Sequence, residues 1–195
     1  MKRIQPVVEG DGDMLAVPAL VRRIAHDAGC FDVKVLRPHK RGDIPTVRAR
    51  FEDYLRVALL EACPVLWVLD YDCETCNDLA RDKRELSSRA AEVAQGAAVQ
   101  IAFMVKEFET LFLADHETTR VVFPDIPPET LFPPDPESVR DAKGWLSQAR
   151  PKGLAYKPSQ HQERLASQVD LGRLRLRSPT FVQFENAVVT LLEAP

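Results

Sequence analysis

At 195 residues, 45% of them hydrophobic, the chain is long enough for one domain, or one domain with an extension, around a real core. No run approaches the roughly 18 apolar residues of a membrane span, and the opening MKRIQPVVEGDGD turns acidic too early for a signal peptide, so a cytoplasmic protein with no membrane partner is expected. Four cysteines exclude a disulfide scaffold, and Cys73-x-x-Cys76 stands without the second ligand pair that zinc needs. The net charge of -3 hides an asymmetry: residues 1–137 carry 17 Lys/Arg against 24 Asp/Glu, whereas residues 138–178 carry nine against three. An acidic front and a basic rear suit a metal site beside a polyanion-binding surface, and equally an ordinary solvated face.

In chain order, Arg3 to Val8 reads as a strand. VEGDGD marks a turn with Asp13 as N-cap, and a helix starting near residue 17 carries Val17, Leu20, Val21 and Ile24 on one face. Asp32 to Leu36 is a second strand. Phe51, Tyr54, Leu55, Ala58, Leu59 and Ala62 fall at helical spacing up to Pro64. Val65 to Leu69, five apolar residues closed by Asp70 and Asp72, reads as a central strand covered on both faces. A polar helix over about 77–95, a fourth strand at 98–104 and a helix at 108–114 follow. The pattern predicts an α/β fold: a mostly parallel four-stranded sheet with flanking helices and a C-terminal helical extension.

FPDIPPETLFPPDP holds six prolines and divides the chain into an α/β domain at 1–122, a linker at 123–137 and an extension at 138–195. Three helices are expected in the extension, at about 138–149, 158–169 and 180–193. The last places Phe181, Phe184, Val188 and Leu191 on one stripe facing the main domain.

Ligands of open α/β sheets bind at the carboxyl ends of strands. Glu9 ends the first strand and Asp70 and Asp72 the third, while Asp11 and Asp13 add acids to the first loop. Such a cluster repels itself unless a cation binds it, and hard oxygen donors select Mg²⁺ or Mn²⁺. The bland reading is that these acids solubilise strand ends and cap helices. Lys106, after the fourth strand, is the candidate cation for a phosphoryl group, and a surface lysine otherwise. Lys157, Gln160, Arg173, Arg175 and Arg177 are candidates for nucleic-acid contact in the basic segment.

VVEGDGD followed by VLDYD resembles the Toprim signature, a Glu-Gly after the first strand and Asp-x-Asp after the third. The resemblance implies a compact Toprim/Rossmann-like domain acting on phosphodiesters with Mg²⁺, as in topoisomerases, primases, recombination proteins and OLD-family nucleases. It makes Glu9 the general acid/base or a metal ligand, and Asp70 and Asp72 metal ligands, with Asp13 nearby. The Cys73–Cys76 insertion after DYD departs from that pattern. VEGDGDMLAVPALVRRI, KEFETLFLAD and the SPTF segment together resemble small stand-alone Toprim-like proteins of unassigned function, encoded beside AAA- or ABC-type ATPases in arrangements similar to phage-defence systems. In that resemblance Glu107 and Glu109 belong to a recurring Glu-Phe-Glu element behind the metal site, and the partners implied are nucleic acid and an ATPase. Two other readings compete: a Toprim-fold interaction subunit that hydrolyses nothing, and a phosphoacceptor receiver domain, which lacks its Ser/Thr after strand four here.

Overall fold

The computed structural model describes residues 1–73 and 77–194. Five parallel strands form the sheet among them: β1 (Lys2–Val8), β2 (Val33–Val35), β3 (His39–Lys40), β4 (Val65–Tyr71) and β5 (Val99–Val105). Their order is β2-β1-β4-β5, with β3 beside β1 beyond the end of β2. The sequence pattern predicts four strands; the fifth, β3, has two residues and no apolar run to reveal it. Pro6 accounts for the split edge. Ile4 and Val8 offer their carbonyls to that edge, accepting from Leu36 N and Arg41 N at 2.9 Å, so by alternation the N–H that Pro6 lacks would also point there.

Alternate residues of the strands serve two cores. Ile4, Val8, Leu66, Val68, Ala102 and Met104 face α1 (Asp13–Asp27) and the helices that follow β5. Val7, Val65, Trp67, Leu69, Tyr71, Ile101 and Phe103 face α2 (Ile44–Leu59) and α3 (Leu79–Ala94). Every residue of β4 is buried, as its unbroken apolar run predicts for a central strand. Asp43 caps α2, accepting from Thr46 N at 3.1 Å, and Asp78 caps α3, accepting from Arg81 N at 2.9 Å.

After β5 come α4 (Thr110–Ala114), α5 (His116–Val122), a 3₁₀ turn (Pro136–Ser138), α6 (Ala142–Gln148), α7 (Pro158–Ala166), α8 (Leu171–Arg177) and α9 (Pro179–Glu193). α8 is not among the three rear helices expected, because its Leu-Gly-Arg-Leu-Arg-Leu-Arg reads as alternation, not helical spacing. Phe181, Phe184, Val188 and Leu191 of α9 are buried in the same core as α1 and β1. Ion pairs also tie rear to front, among them Arg173 to Asp115 and Arg175 to Asp27. No helix among the described residues is long and apolar enough to cross a membrane.

Candidate functional site

The parallel register sets Val8 level with Val68, so the chain leaves β1 at Glu9 within one residue of the level of Asp70. Glu9, Gly10, Asp11, Gly12, Asp13, Asp70, Lys143, Pro158, Ser159 and Gln162 line one cavity of about 310 Å³ at this carboxyl edge. Three of the acids expected to act together, Glu9, Asp13 and Asp70, therefore open on one space. Asp72 is exposed and does not line it, but its charge raises the Glu9 carboxyl.

Asp13 is the first residue of α1, which begins a turn earlier than Pro18 suggests; Gly12 occupies the N-cap position, so Asp13 is not the cap. Its carboxylate instead accepts from Gly10 N at 2.9 Å and from Gln162 Nε2 at 2.7 Å, tying the acidic loop to α7. Asp70 points to the α1 side of the sheet, accepting from Phe108 N at 2.9 Å and Lys143 Nζ at 3.2 Å. Glu9 Oε2 is buried and has no hydrogen-bond partner.

Lys143 is the cation of the site. Besides Asp70, its ammonium lies 3.1 Å from Glu107 Oε1 and 3.4 Å from Glu109 Oε2, while its backbone N–H donates to Glu107 Oε2 at 3.0 Å. Tyr156 donates its hydroxyl to Glu109 Oε1 at 3.1 Å. Glu107 and Glu109 thus stand behind Asp70, joined to it through one lysine.

Burial and like charge dominate the electrostatics. Desolvation, then Asp13 and Asp72, push the Glu9 carboxyl up to about 7. Burial pushes Glu109 to about 7 against the pull of Lys143. Asp70 is held well above the usual carboxylate range by burial, with Lys143 opposing and Asp13, Glu109 and Glu9 adding to the rise. Burial alone would lower Lys143, but Asp70, Glu109 and Glu107 outweigh it and keep the ammonium charged. Glu9 and Glu109 can thus each take or hold a proton near neutrality.

The donor set is of the kind a hard divalent cation takes: carboxylate oxygens, one buried and unpartnered. Among the described residues, however, no three Asp, Glu, His or Cys side chains are already arranged to hold a metal ion. Asp13 and Asp70 are turned to Gly10, Gln162, Phe108 and Lys143. The residues fit a cation in chemistry, and Lys143 supplies the positive charge beside them.

The remaining candidates lie elsewhere. Lys106 follows β5 with φ 64°, its N–H donating to Tyr71 O at 3.2 Å, and does not line the cavity. Lys157 is exposed at the N-cap of α7, beside Pro158, and Gln160 is exposed one turn on. Arg173 binds fully buried Asp115, Arg175 binds Glu185 and Asp27, and Arg177 binds Glu117 at 2.7 Å. A phosphate contact by any of the three would have to displace a carboxylate. Cys76 falls outside the described residues.

Sequence reasoning missed Lys143, Gln162 and Tyr156. Lys143 was counted only in the rear charge balance. Its neighbours Ala142 and Gly144 carry no motif, and nothing local brings it to an acid at position 70.

Residues 8–188 match a family model described as "Domain of unknown function (DUF4276)". No curated protein matches the chain. Among solved structures, the C-terminal region of the Xanthomonas campestris pv. campestris OLD protein is similar at 13% identity and TM-score 0.43, covering 96% of this chain and 94% of that one. The C-terminal region of the Burkholderia pseudomallei OLD protein is similar at 13% identity and TM-score 0.43, covering 100% and 98%.

Proposed function

The chain belongs to the DUF4276 family, whose description assigns no activity, and from its carboxylate edge we propose a Toprim-like, divalent-cation-dependent domain that acts on nucleic-acid phosphodiesters. The observation that carries this reading is the opening of Glu9, Asp13 and Asp70 from two adjacent strand ends onto one cavity, with Glu9 Oε2 buried and unpartnered. Glu9, Asp70 and Asp72 would hold Mg²⁺ or Mn²⁺, with Asp13 beside them. The bound ion would supply Lewis acidity and charge stabilisation at a phosphoryl group. The chain's own residues supply the rest. Where it does not hold the ion, Glu9 would act instead as general acid/base, burial and Asp13 having raised its carboxyl to about 7. Lys143, held by Asp70, Glu107 and Glu109, places a positive charge beside the cavity. An ATPase partner and a role in phage defence are inferred from the resemblance of VEGDGDMLAVPALVRRI, KEFETLFLAD and SPTF.

Calorimetric titration of Mn²⁺ tests the site, and labelled single- and double-stranded DNA and RNA test the activity. The wild type should bind Mn²⁺ and cut in its presence, and both Glu9→Gln and Asp70→Asn should lose binding and cutting while staying folded. Cutting that persists in Asp70→Asn would discard the site. A wild type that binds no Mn²⁺ would discard the metal reading.

One observation favours a second reading, an interaction subunit without catalysis. Lys143 already balances Asp70, Glu107 and Glu109, and the acids form no closed cage among the described residues. Mn²⁺ binding without cleavage of any nucleic acid, alone or with the ATPase, is the result that selects it.

A further inference from the structure

Arg150, Arg173, Arg175 and Arg177 of the rear segment are matched by carboxylates, and a second basic stretch lies nearer the front of the chain. Between residues 37 and 50 the sequence holds Arg37, His39, Lys40, Arg41, Arg48 and Arg50 against the single acid Asp43, and of these Arg48 is engaged by buried Asp82 at 2.7 Å. The fold lays this segment along the edge of the sheet beside Glu9. β3 pairs with Val7 and Val8, and Gly42 N donates to Glu9 O at 3.2 Å. Lys40 pairs with Asp11 of the cavity at 2.7 Å, both side chains being exposed.

Two of these residues share one ring. The guanidinium carbons of Arg41 and Arg50 lie 5.0 and 5.1 Å from the centroid of Tyr54, so the two charges are within about 10 Å of one another. Neither makes an ion pair with a carboxylate among the described residues, and Arg41 Nε is buried without a hydrogen-bond partner. α2 leaves helical geometry at Arg50 itself, where φ is −136° and ψ 23°. Stacking on Tyr54 orders both side chains and leaves their guanidinium forks without a carboxylate among the described residues to hold them.

We propose that Arg41 and Arg50, stacked on Tyr54, form a phosphate-binding strip that leads a nucleic-acid backbone to the Glu9 cavity. The inference rests on the nucleic-acid reading above and deepens it by naming the surface. Guanidinium forks match phosphate oxygens, and the contact is to the backbone, so binding along this strip is insensitive to base sequence. Lys40 extends it toward the cavity, since its exposed partner Asp11 is a weak competitor for it.

Fluorescence anisotropy of labelled single- and double-stranded oligonucleotides, measured across a salt series without divalent metal, tests the proposal on the full chain. Each phosphate contact adds about 0.7 (single strand) to 0.9 (duplex) to the slope of log affinity against log salt. Arg41→Gln with Arg50→Gln should lower that slope by about 1.5 and weaken low-salt binding at least about tenfold. Arg41→Lys with Arg50→Lys should restore the slope, and Arg22→Ala, exposed on the α1 side of the sheet, should change neither quantity. Circular dichroism and urea denaturation verify folding, and a Gln pair that fails to fold passes the test to Arg50→Gln alone, with a slope change near half as large. Wild-type binding that the Gln pair leaves unchanged overturns the strip and leaves the nucleic-acid reading standing. A wild type that binds no oligonucleotide overturns both, as does binding confined to vesicles of anionic phospholipid.

Discussion

The ammonium of Lys143 stands 3.2 Å from the carboxylate of Asp70, and 73 residues of chain separate the two. Glu107 and Glu109 share the same ammonium, so one lysine offsets three buried acids. Lys143→Met should therefore destabilise the fold by about 2–4 kcal/mol, less than for a fully buried pair because Lys143 keeps some solvent contact. Mg²⁺ should raise the melting temperature of Lys143→Met more than that of the wild type, since an ion bound only by the folded state stabilises it. Equal, negligible Mg²⁺ shifts in both proteins would show that the acids hold no cation even when the lysine is gone.

The carboxylate edge was legible because its parts are local. Glu9 and Asp70 each end a run of apolar residues, and a run that must be buried announces where the strand stops. The two-residue β3 was illegible because its place depends on the N–H that Pro6 lacks, and α8 because alternation masked its helical state. The Asp13 carboxylate was misjudged as a cap, since Gln162, 149 residues away, is what it binds. Lys143 and the Arg41–Tyr54–Arg50 stack share that difficulty. Their significance lies in which charges are paired, and pairing is a property of the folded chain, not of sequence spacing.

Glu52 and Arg89 give a pH dependence of known sign. Arg89 donates Nε and Nη2 to the two Glu52 oxygens at 2.5 and 2.8 Å, and this lowers Glu52 from 4.5 to about 2. A carboxyl depressed in the folded state stabilises above its unfolded pKa and loses that contribution as pH falls through the folded value. The pair's worth is thus complete above about pH 4.5 and gone near pH 2. With Glu52 about a third exposed, screening reduces it to about 1 kcal/mol. Urea denaturation of Glu52→Gln should show that deficit at pH 7 and a shrinking one below pH 4.5; a deficit that is constant with pH would mean the amide merely packs badly.

Arg173 is read best as a structural cation. It donates to fully buried Asp115 at 2.6 Å and to Thr118 Oγ1 at 2.9 Å, while Asp115 also accepts from Asp170 N. Arg173→Ala would leave Asp115 buried without its countercharge, at a cost of about 2–4 kcal/mol once the partial exposure of the arginine is allowed for. Oligonucleotide affinity per folded molecule should stay at the wild-type value. A stable Arg173→Ala that binds nucleic acid less tightly would return the rear segment to the binding surface.

Gly12 fixes how closely the acidic loop meets the rear helices. Its backbone, with φ −62° and ψ −38°, is one that any residue adopts, so the requirement for glycine is steric. A Cβ there would stand 1.8 Å from Gln162 Oε1 and 2.8 Å from Pro158 Cβ. Gln162 is buried and donates to Asp13, so its amide cannot swing clear without breaking that bond, and Pro158 can retreat only if α7 moves. Gly12→Ala should then cost about 1–3 kcal/mol through overpacking and leave the Asp13 carboxylate short of a donor. Gln162→Ala removes the nearer clash but not the one with Pro158, so the double variant should be more stable than the sum of the single losses predicts. Strict additivity in urea denaturation would mean that the loop and α7 do not press on each other at this point. A Gly12→Ala protein as stable as wild type would mean that α7 stands further from the cavity than this packing requires.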